Sequence, residues 1–160
     1  MLDTEVFKEC SCINDLIEDK NTAIARDRVI DLLSRMQHDG NDYTPLVNHL
    51  IREVGLYPYI DRQTALWEDQ VAIEAFKADV GTEFPVTLHS AQSKVLKRLL
   101  LGESIAVSAP TSFGKSFIID AFIAIRKPDI VVIIVPTIAL ADETRRRIEH
   151  KFSANYKVIT

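Results

Sequence analysis

Ala109-Pro110-Thr111-Ser112-Phe113-Gly114-Lys115-Ser116 stands between an apolar run, Ile105-Ala106-Val107, and an apolar segment of helical character from Phe117 to Ile123. A strand that feeds such a loop into a helix gathers several backbone N–H groups and the positive end of the helix at one point. A triphosphate can replace water there as their acceptor. The stretch therefore predicts a P-loop. Pro110, Thr111, Ser112, Phe113 and Gly114 form its cradle, Lys115 is expected to reach the β- and γ-phosphates, and Ser116 to hold Mg²⁺ through the nucleotide. Lys115 and Ser116 are the candidate catalytic residues of the intact protein.

Outward from the loop, the reading is α/β. Residues 105–109 are expected to be a strand and the following helix to run to about Arg126, where Lys127-Pro128-Asp129 breaks it. Ile130 to Val135 is a continuous apolar run, as a parallel strand covered on both faces requires. Strand, helix, strand makes a right-handed βαβ unit. Pro136 closes the second strand, Thr137 can cap a helix to about Phe152, and Lys157-Val158-Ile159 begins a further strand. A doubly wound nucleotide-binding sheet usually needs at least five strands, and only two whole ones and the start of a third are present. The sequence reads as the front portion of a longer protein, or as a chain that borrows strands from a partner.

Before the loop, the first eighty residues read as helices. Val6, Cys10, Ile13 and Ile17 line one helical face, and Ala25, Val29, Leu32 and Met36 repeat the spacing after Asn21, an expected N-cap. Gly40 ends that second helix. Thr44 caps a third, with Pro45 in its first turn, Val47, Leu50 and Val54 inward and Gly55 beyond its end. A fourth, from Asp61 to about Lys77, buries Leu66, Ile73 and Phe76, with Asp69 breaking the stripe. Gly81 to Thr87 reads as a linker around Pro85. Ser90 then caps a helix through Val95, Leu96, Leu99 and Leu100 that Gly102 stops. The expected organisation is an all-helical N-terminal domain, residues 1–80, followed by the first portion of an ATP-binding domain, residues 81–160.

The 160 residues are 47% hydrophobic and 26% charged, the composition of a globular protein. No run of about 18 apolar residues and no basic-then-apolar N-terminus is present, so no membrane partner is expected and the expected compartment is the cytoplasm. Cys10 and Cys12 lie too close to pair with each other and read as reduced helix thiols, and no His or Cys cluster offers a metal site. The formal charge of −4 conceals a division. Residues 1–80 carry 8 Lys/Arg against 16 Asp/Glu, net −8, and residues 81–160 carry 11 against 7, net +4. A basic second half is compatible with phosphate partners.

Three stretches together carry a resemblance. Leu88-His89-Ser90-Ala91-Gln92 puts a glutamine 17 residues before Ala109, the loop begins Ala-Pro-Thr, and Pro136-Thr137-Ile138-Ala139-Leu140-Ala141-Asp142-Glu143 closes the second strand. Residues 88–152 resemble the Q-motif position, motif I and motif Ia of superfamily 2 DEAD/DEAH-box helicases. The resemblance implies a RecA-like P-loop parallel sheet, ATP with Mg²⁺ as ligand, and a DNA or RNA backbone as partner. It implies that Gln92 faces the adenine, where a carboxamide can pair with both the acceptor and the exocyclic amine of the base. Pro136 and Thr137 would lie on the nucleic-acid side, the Thr hydroxyl and the first N–H groups of the helix meeting a phosphate. Thr137 also reads simply as a helix cap. Arg145, Arg146 and Arg147 extend a phosphate track or, since successive residues point in different directions, form a solvated face.

The sequence departs from the family pattern at Ser112 and Phe113, where a small residue or Gly is common, and at Ile138, where Arg is common. It also does not supply the Asp-Glu pair of motif II after Val135, nor a second motor domain with its arginine finger. Binding without hydrolysis is what these residues can support, while the intact protein is expected to hydrolyse ATP as a helicase or translocase. General resemblance points to a bacterial helicase of a nucleic-acid defence or processing system. The acidic helices are expected to dock a protein partner, their −8 charge being unsuited to nucleic acid. The competing reading is a truncated, non-catalytic nucleotide-binding module that assembles through those helices. A nucleotide kinase is a third.

Overall fold

The computed structural model describes residues 4–159, with Thr111 described in its backbone alone. The chain divides into two compact units. One holds the chain up to Lys77 together with Thr87–Ala91, and the other holds Ala78–Val86 with the chain from Gln92 onward.

The first unit is helical: α1 (Thr4–Glu18), α2 (Thr22–His38), α3 (Pro45–Glu53), a 3₁₀ turn (Tyr57–Tyr59) and α4 (Trp67–Ala75). Its core is made by the stripes that the 4-3-4 spacings define. Cys10 and Ile13 of α1 meet Ala25, Val29, Leu32 and Met36 of α2 and Val47, Leu50 and Ile51 of α3, with Val6 and Ile17 packed at the edge. Thr44 caps α3, its Oγ1 accepting from Val47 N at 3.4 Å with Pro45 in the first turn. Asn21 occupies the cap position of α2 without a side-chain capping bond. Both cysteines are free thiols; Cys10 is buried, and burial pushes its pKa up.

The fourth helix differs from expectation. It starts at Trp67 rather than Asp61 because Asp61 forms a local turn of its own. Asp61 accepts from Gln63 N at 3.0 Å and from Thr64 Oγ1 at 3.1 Å, which holds the chain in a turn. Asp69 does not break the stripe. It is buried, accepts from Leu66 N at 3.0 Å as the reach-back cap of α4, and lies 3.3 Å from Arg52 Nη1 of α3. Leu66, expected inside, is exposed, whereas Ile73 is in the core.

Residues 81–87, read as a linker, contain a strand. β1 (Lys77–Ala78) and β2 (Val86–Thr87) form a short antiparallel ladder where the chain leaves and re-enters the first unit. Beyond it, Ser90 N donates to Gly55 O at 3.0 Å. Gly55 has φ +71°, and a Cβ on it would lie 2.5 Å from that of Ser90, so the approach requires glycine.

The second unit holds most of α5 (Ser90–Leu100), then a 3₁₀ turn (Thr111–Phe113), α6 (Lys115–Arg126) and α7 (Ile138–Phe152). Ile123 and Ala124 of α6 pack against Ile148 and Phe152 of α7, with Ile133, Tyr156 and Val158 alongside. The runs expected to be strands, 105–109 and 130–135, carry no ladder. Residues 130–135 nonetheless show the period of a strand. Ile130, Val132 and Ile134 are 82%, 78% and 91% exposed, while Ile133 between them packs on the α6–α7 core. Among the described residues no helix is long and apolar enough to cross a membrane.

The densest buried polar contact lies in the first unit. Asn48 of α3 donates through Nδ2 to Asp61 O and Thr64 Oγ1, both at 3.0 Å, and its Oδ1 accepts from Asp61 N at 2.9 Å. Asn48→Ala removes three bonds to half-buried partners, which should cost about 2–3 kcal/mol. The thermal midpoint should fall by roughly 10 °C by circular dichroism. A loss below about 0.5 kcal/mol would show that this contact does not fix the α3–α4 connection.

Candidate nucleotide-binding site

The loop before α6 turns sharply. Pro110 is extended at φ −55°, ψ 162°; the chain then turns through residues 111–113, with Phe113 N donating to Pro110 O at 3.1 Å, and reverses at Gly114, φ +76° and ψ 37°. This left-handed conformation is one that a side chain rarely adopts. Space adds a second restriction, because a Cβ on Gly114 would fall 2.6 Å from Gln92 Nε2. The helix α6 begins at the next residue, where Phe117 N donates to Gly114 O at 3.0 Å, so the positive end of the helix lies at the bend.

Lys115 and Ser116 are both exposed on that first turn. Lys115 Nζ donates to Ala109 O at 2.8 Å and to Pro110 O at 2.7 Å, tying the end of the helix to the start of the loop. An ammonium held on two neutral carbonyls can exchange them for phosphate oxygens, which are stronger acceptors because they are charged. Pro110 and Ser112 are exposed and Phe113 half-buried; the side chain of Thr111 lies outside what the structure describes. Gln92, on α5, is buried and donates from Nε2 to Phe113 O at 2.8 Å. The structure thus brings together six of the predicted residues, with Gln92 bracing the back of the turn.

Pro136 and Thr137 stand apart from the loop in sequence and form the approach to α7. Both are exposed, and Thr137 caps the helix, its Oγ1 accepting from Leu140 N at 3.2 Å. Ile138, where the related helicases often carry Arg, is exposed as well.

The three successive arginines are each paired. Arg145 bonds Asp142 at 2.9 Å and Glu149 at 2.7 Å, and Arg146 lies 2.7 Å from Asp142. The hydrogen bond from Arg145, with further help from Arg146, holds the Asp142 carboxyl below its ordinary pKa, and Asp142 and Glu149 raise that of Arg145. Arg147 turns inward. Its Nη1 donates to Asp120 Oδ1 at 2.8 Å and to Ser116 O at 3.1 Å, while Lys151 Nζ donates to Asp120 Oδ2 at 2.8 Å. Asp120, passed over in the sequence, is 1% exposed. Its one visible signal was a carboxylate in an otherwise apolar helix, Phe117 to Ile125.

Comparison with known proteins accords with this geometry. Residues 89–160 match the family model of the DEAD/DEAH box helicase, and residues 1–70 match that of the anti-bacteriophage protein B N-terminal domain. The resemblance to DEAD/DEAH-box helicases therefore holds, and this second segment is helicase-like. Anti-bacteriophage protein B of Escherichia coli (strain K12) is 30% identical over 98% of the chain, which spans 22% of that relative's length. No solved structure matches.

The bend at Gly114 is open to direct test. Gly114→Ala combines left-handed strain of about 1–2 kcal/mol with the collision at Gln92. ATP affinity, read by fluorescence titration, should fall about tenfold or more. Unchanged affinity would show that ATP does not use this bend.

Proposed function

We propose that this chain, a DEAD/DEAH box helicase segment behind an N-terminal domain like that of anti-bacteriophage protein B, is the ATP-binding N-terminal part of an ATP-dependent nucleic-acid helicase or translocase. The same likeness supports a role in defence against bacteriophage. The observation that carries the reading is the left-handed turn at Gly114, which delivers exposed Lys115 and Ser116 on the first turn of α6.

In this reading Pro110 to Gly114 wrap the triphosphate, Lys115 neutralises the β- and γ-phosphates, and Ser116 holds Mg²⁺, which supplies charge neutralisation to the bound nucleotide. Gln92 selects adenine. A carboxamide has two donor hydrogens and an oxygen with two lone pairs, so bracing Phe113 O at 2.8 Å is compatible with reading a base. Pro136, Thr137 and the first N–H groups of α7 meet a DNA or RNA phosphate. The acidic helical domain, proposed to span residues 1–80, docks a protein partner, and Trp67, 74% exposed at the start of α4, suits such a contact.

Residues 81–160 are then the first portion of a RecA-like domain, with 105–109 and 130–135 strands of its parallel sheet. The support is the alternation around Ile133, which packs on the α6–α7 core while Val132 and Ile134 on either side face outward, as in a strand awaiting cover. Hydrolysis needs acids placed to orient Mg²⁺ and water. Asp142 and Glu143 lie on α7, and Asp142 is taken up by arginines. The intact protein would supply the acids elsewhere, as the chain's 22% share of its relative allows.

Two substitutions in the intact protein test the reading. Lys115→Ala should lower ATP turnover stimulated by single-stranded DNA or RNA by about 100-fold or more, and normal turnover would defeat the assignment. Gln92→Ala should weaken ATP about tenfold while sparing inorganic triphosphate. Equal loss for both ligands would leave Gln92 as a brace of the loop alone.

A further inference from the structure

We propose that Arg147, seated on Asp120, is a positioning residue that couples nucleic acid at the start of α7 to the nucleotide site at the start of α6. The proposal rests on the helicase reading and deepens it by naming the group through which the two ligands sense each other.

Three observations carry it. The first is a shared atom: Arg147 Nη1 donates both to Asp120 Oδ1, at 2.8 Å, and to the backbone oxygen of Ser116, at 3.1 Å. Ser116 O and the N–H of Asp120 stand four residues apart on α6, the spacing of a helical hydrogen bond. Arg147 therefore meets the first turn of the helix at the residue proposed to hold Mg²⁺. The second is that this contact is fixed. Asp120 is 1% exposed, its other oxygen is held by Lys151 at 2.8 Å, and Lys151 Nζ lies 5.6 Å from the centre of the Phe117 ring. The third is that Arg147 belongs to the same unbroken helix as the Thr137 cap, so a displacement of that end is transmitted along α7.

Holding two helices together does not call for this arrangement. Ile123, Ala124, Ile148 and Phe152 already pack α6 on α7, and a buried ion pair adds little that apolar packing would not. What the pair adds is direction. One guanidinium nitrogen shared between a carboxylate and a carbonyl has a narrow range of acceptable positions, so a shift of α7 is felt at Ser116. A phosphate seated at the start of α7 thereby biases the turn that receives the nucleotide. By linkage the nucleotide biases α7 to the same extent.

The test is a binding cycle in the intact protein, free of any dependence on hydrolysis. Affinity for a labelled single-stranded oligonucleotide, DNA and RNA in turn, is measured with and without a non-hydrolysable ATP analogue and Mg²⁺. The wild type should show coupling of about tenfold. Arg147→Lys is the informative variant. Its side chain is one bond shorter, so an ammonium kept near Asp120 is drawn back from the point at which Nη1 meets Ser116 O. Folding, read by thermal melting, and the affinity for each ligand alone should stay within about threefold of wild type, while coupling falls to about twofold or less. Arg147→Met should lose coupling as well, and Arg145→Met, whose partners Asp142 and Glu149 lie on α7 itself, should keep it. Full coupling in Arg147→Lys would overturn the proposal, as would coupling lost only together with the binding of either ligand alone. If Arg147→Met does not fold, Arg147→Lys decides by itself. A wild type that binds both ligands without coupling refutes this inference alone, whereas one that binds no ATP refutes the reading of the site.

Discussion

The turn at Gly114 sets the position of everything around it in the second unit. At φ +76° the chain reverses direction within one residue, which ends the loop and starts α6. With the bend made there, the C=O of Phe113 points to α5 and meets Gln92 Nε2, while Lys115 folds back to the carbonyls of Ala109 and Pro110. Two separate demands fall on one position, a backbone that only glycine adopts cheaply and a gap that a methyl group would close. Phe113, unusual for such loops, is tolerated because the strained conformation lies on its neighbour.

The two units solve burial differently. In the first, three helical stripes close on one another into one core, and even the charged Asp69 is enclosed with an ion partner. In the second, α6 is apolar nearly all round, and only one of its faces meets α7. Ile119 and Ile125 of α6 remain exposed with Ile130, Val132 and Ile134. An outward row of large aliphatic side chains is stable only under cover. This is the physical ground of the proposal that residues 130–135 join a sheet, although they carry no ladder.

Helix positions in the first unit were legible because each depends on local signals: Thr44 with Pro45, Gly40, Gly55 and the 4-3-4 stripes. The bend of the loop was legible for the same reason. Illegible were features in which a polar group chooses a distant partner. Asp61 and Asp69 read as helix residues, yet one forms a turn and the other a cap and ion pair. Val86–Thr87 read as linker because a two-residue strand has no periodicity to detect. At Gln92 the residue was found from its spacing to the loop, but its bond to Phe113 O depends on how α5 meets the turn, which spacing does not contain.

The arginine run shows how little a charge count reveals about a surface. Arg145, Arg146 and Arg147 account for 3 of the 11 cations that make residues 81–160 basic. Successive helix residues fan out by about 100°, so the three side chains reach different acids. Two are neutralised on the surface by Asp142 and Glu149, and the third is drawn inward by Asp120. In the proposed reading, the attraction of α7 for a phosphate backbone falls on its N-terminus, where Thr137 and the helix dipole act and Ile138 contributes no charge. Arg147 has exchanged a place on the surface for one on Asp120 and Ser116 O, where its charge is fixed in position. A cation so placed is poorly disposed to capture a phosphate from solution, and its contacts instead lie on the first turn of α6.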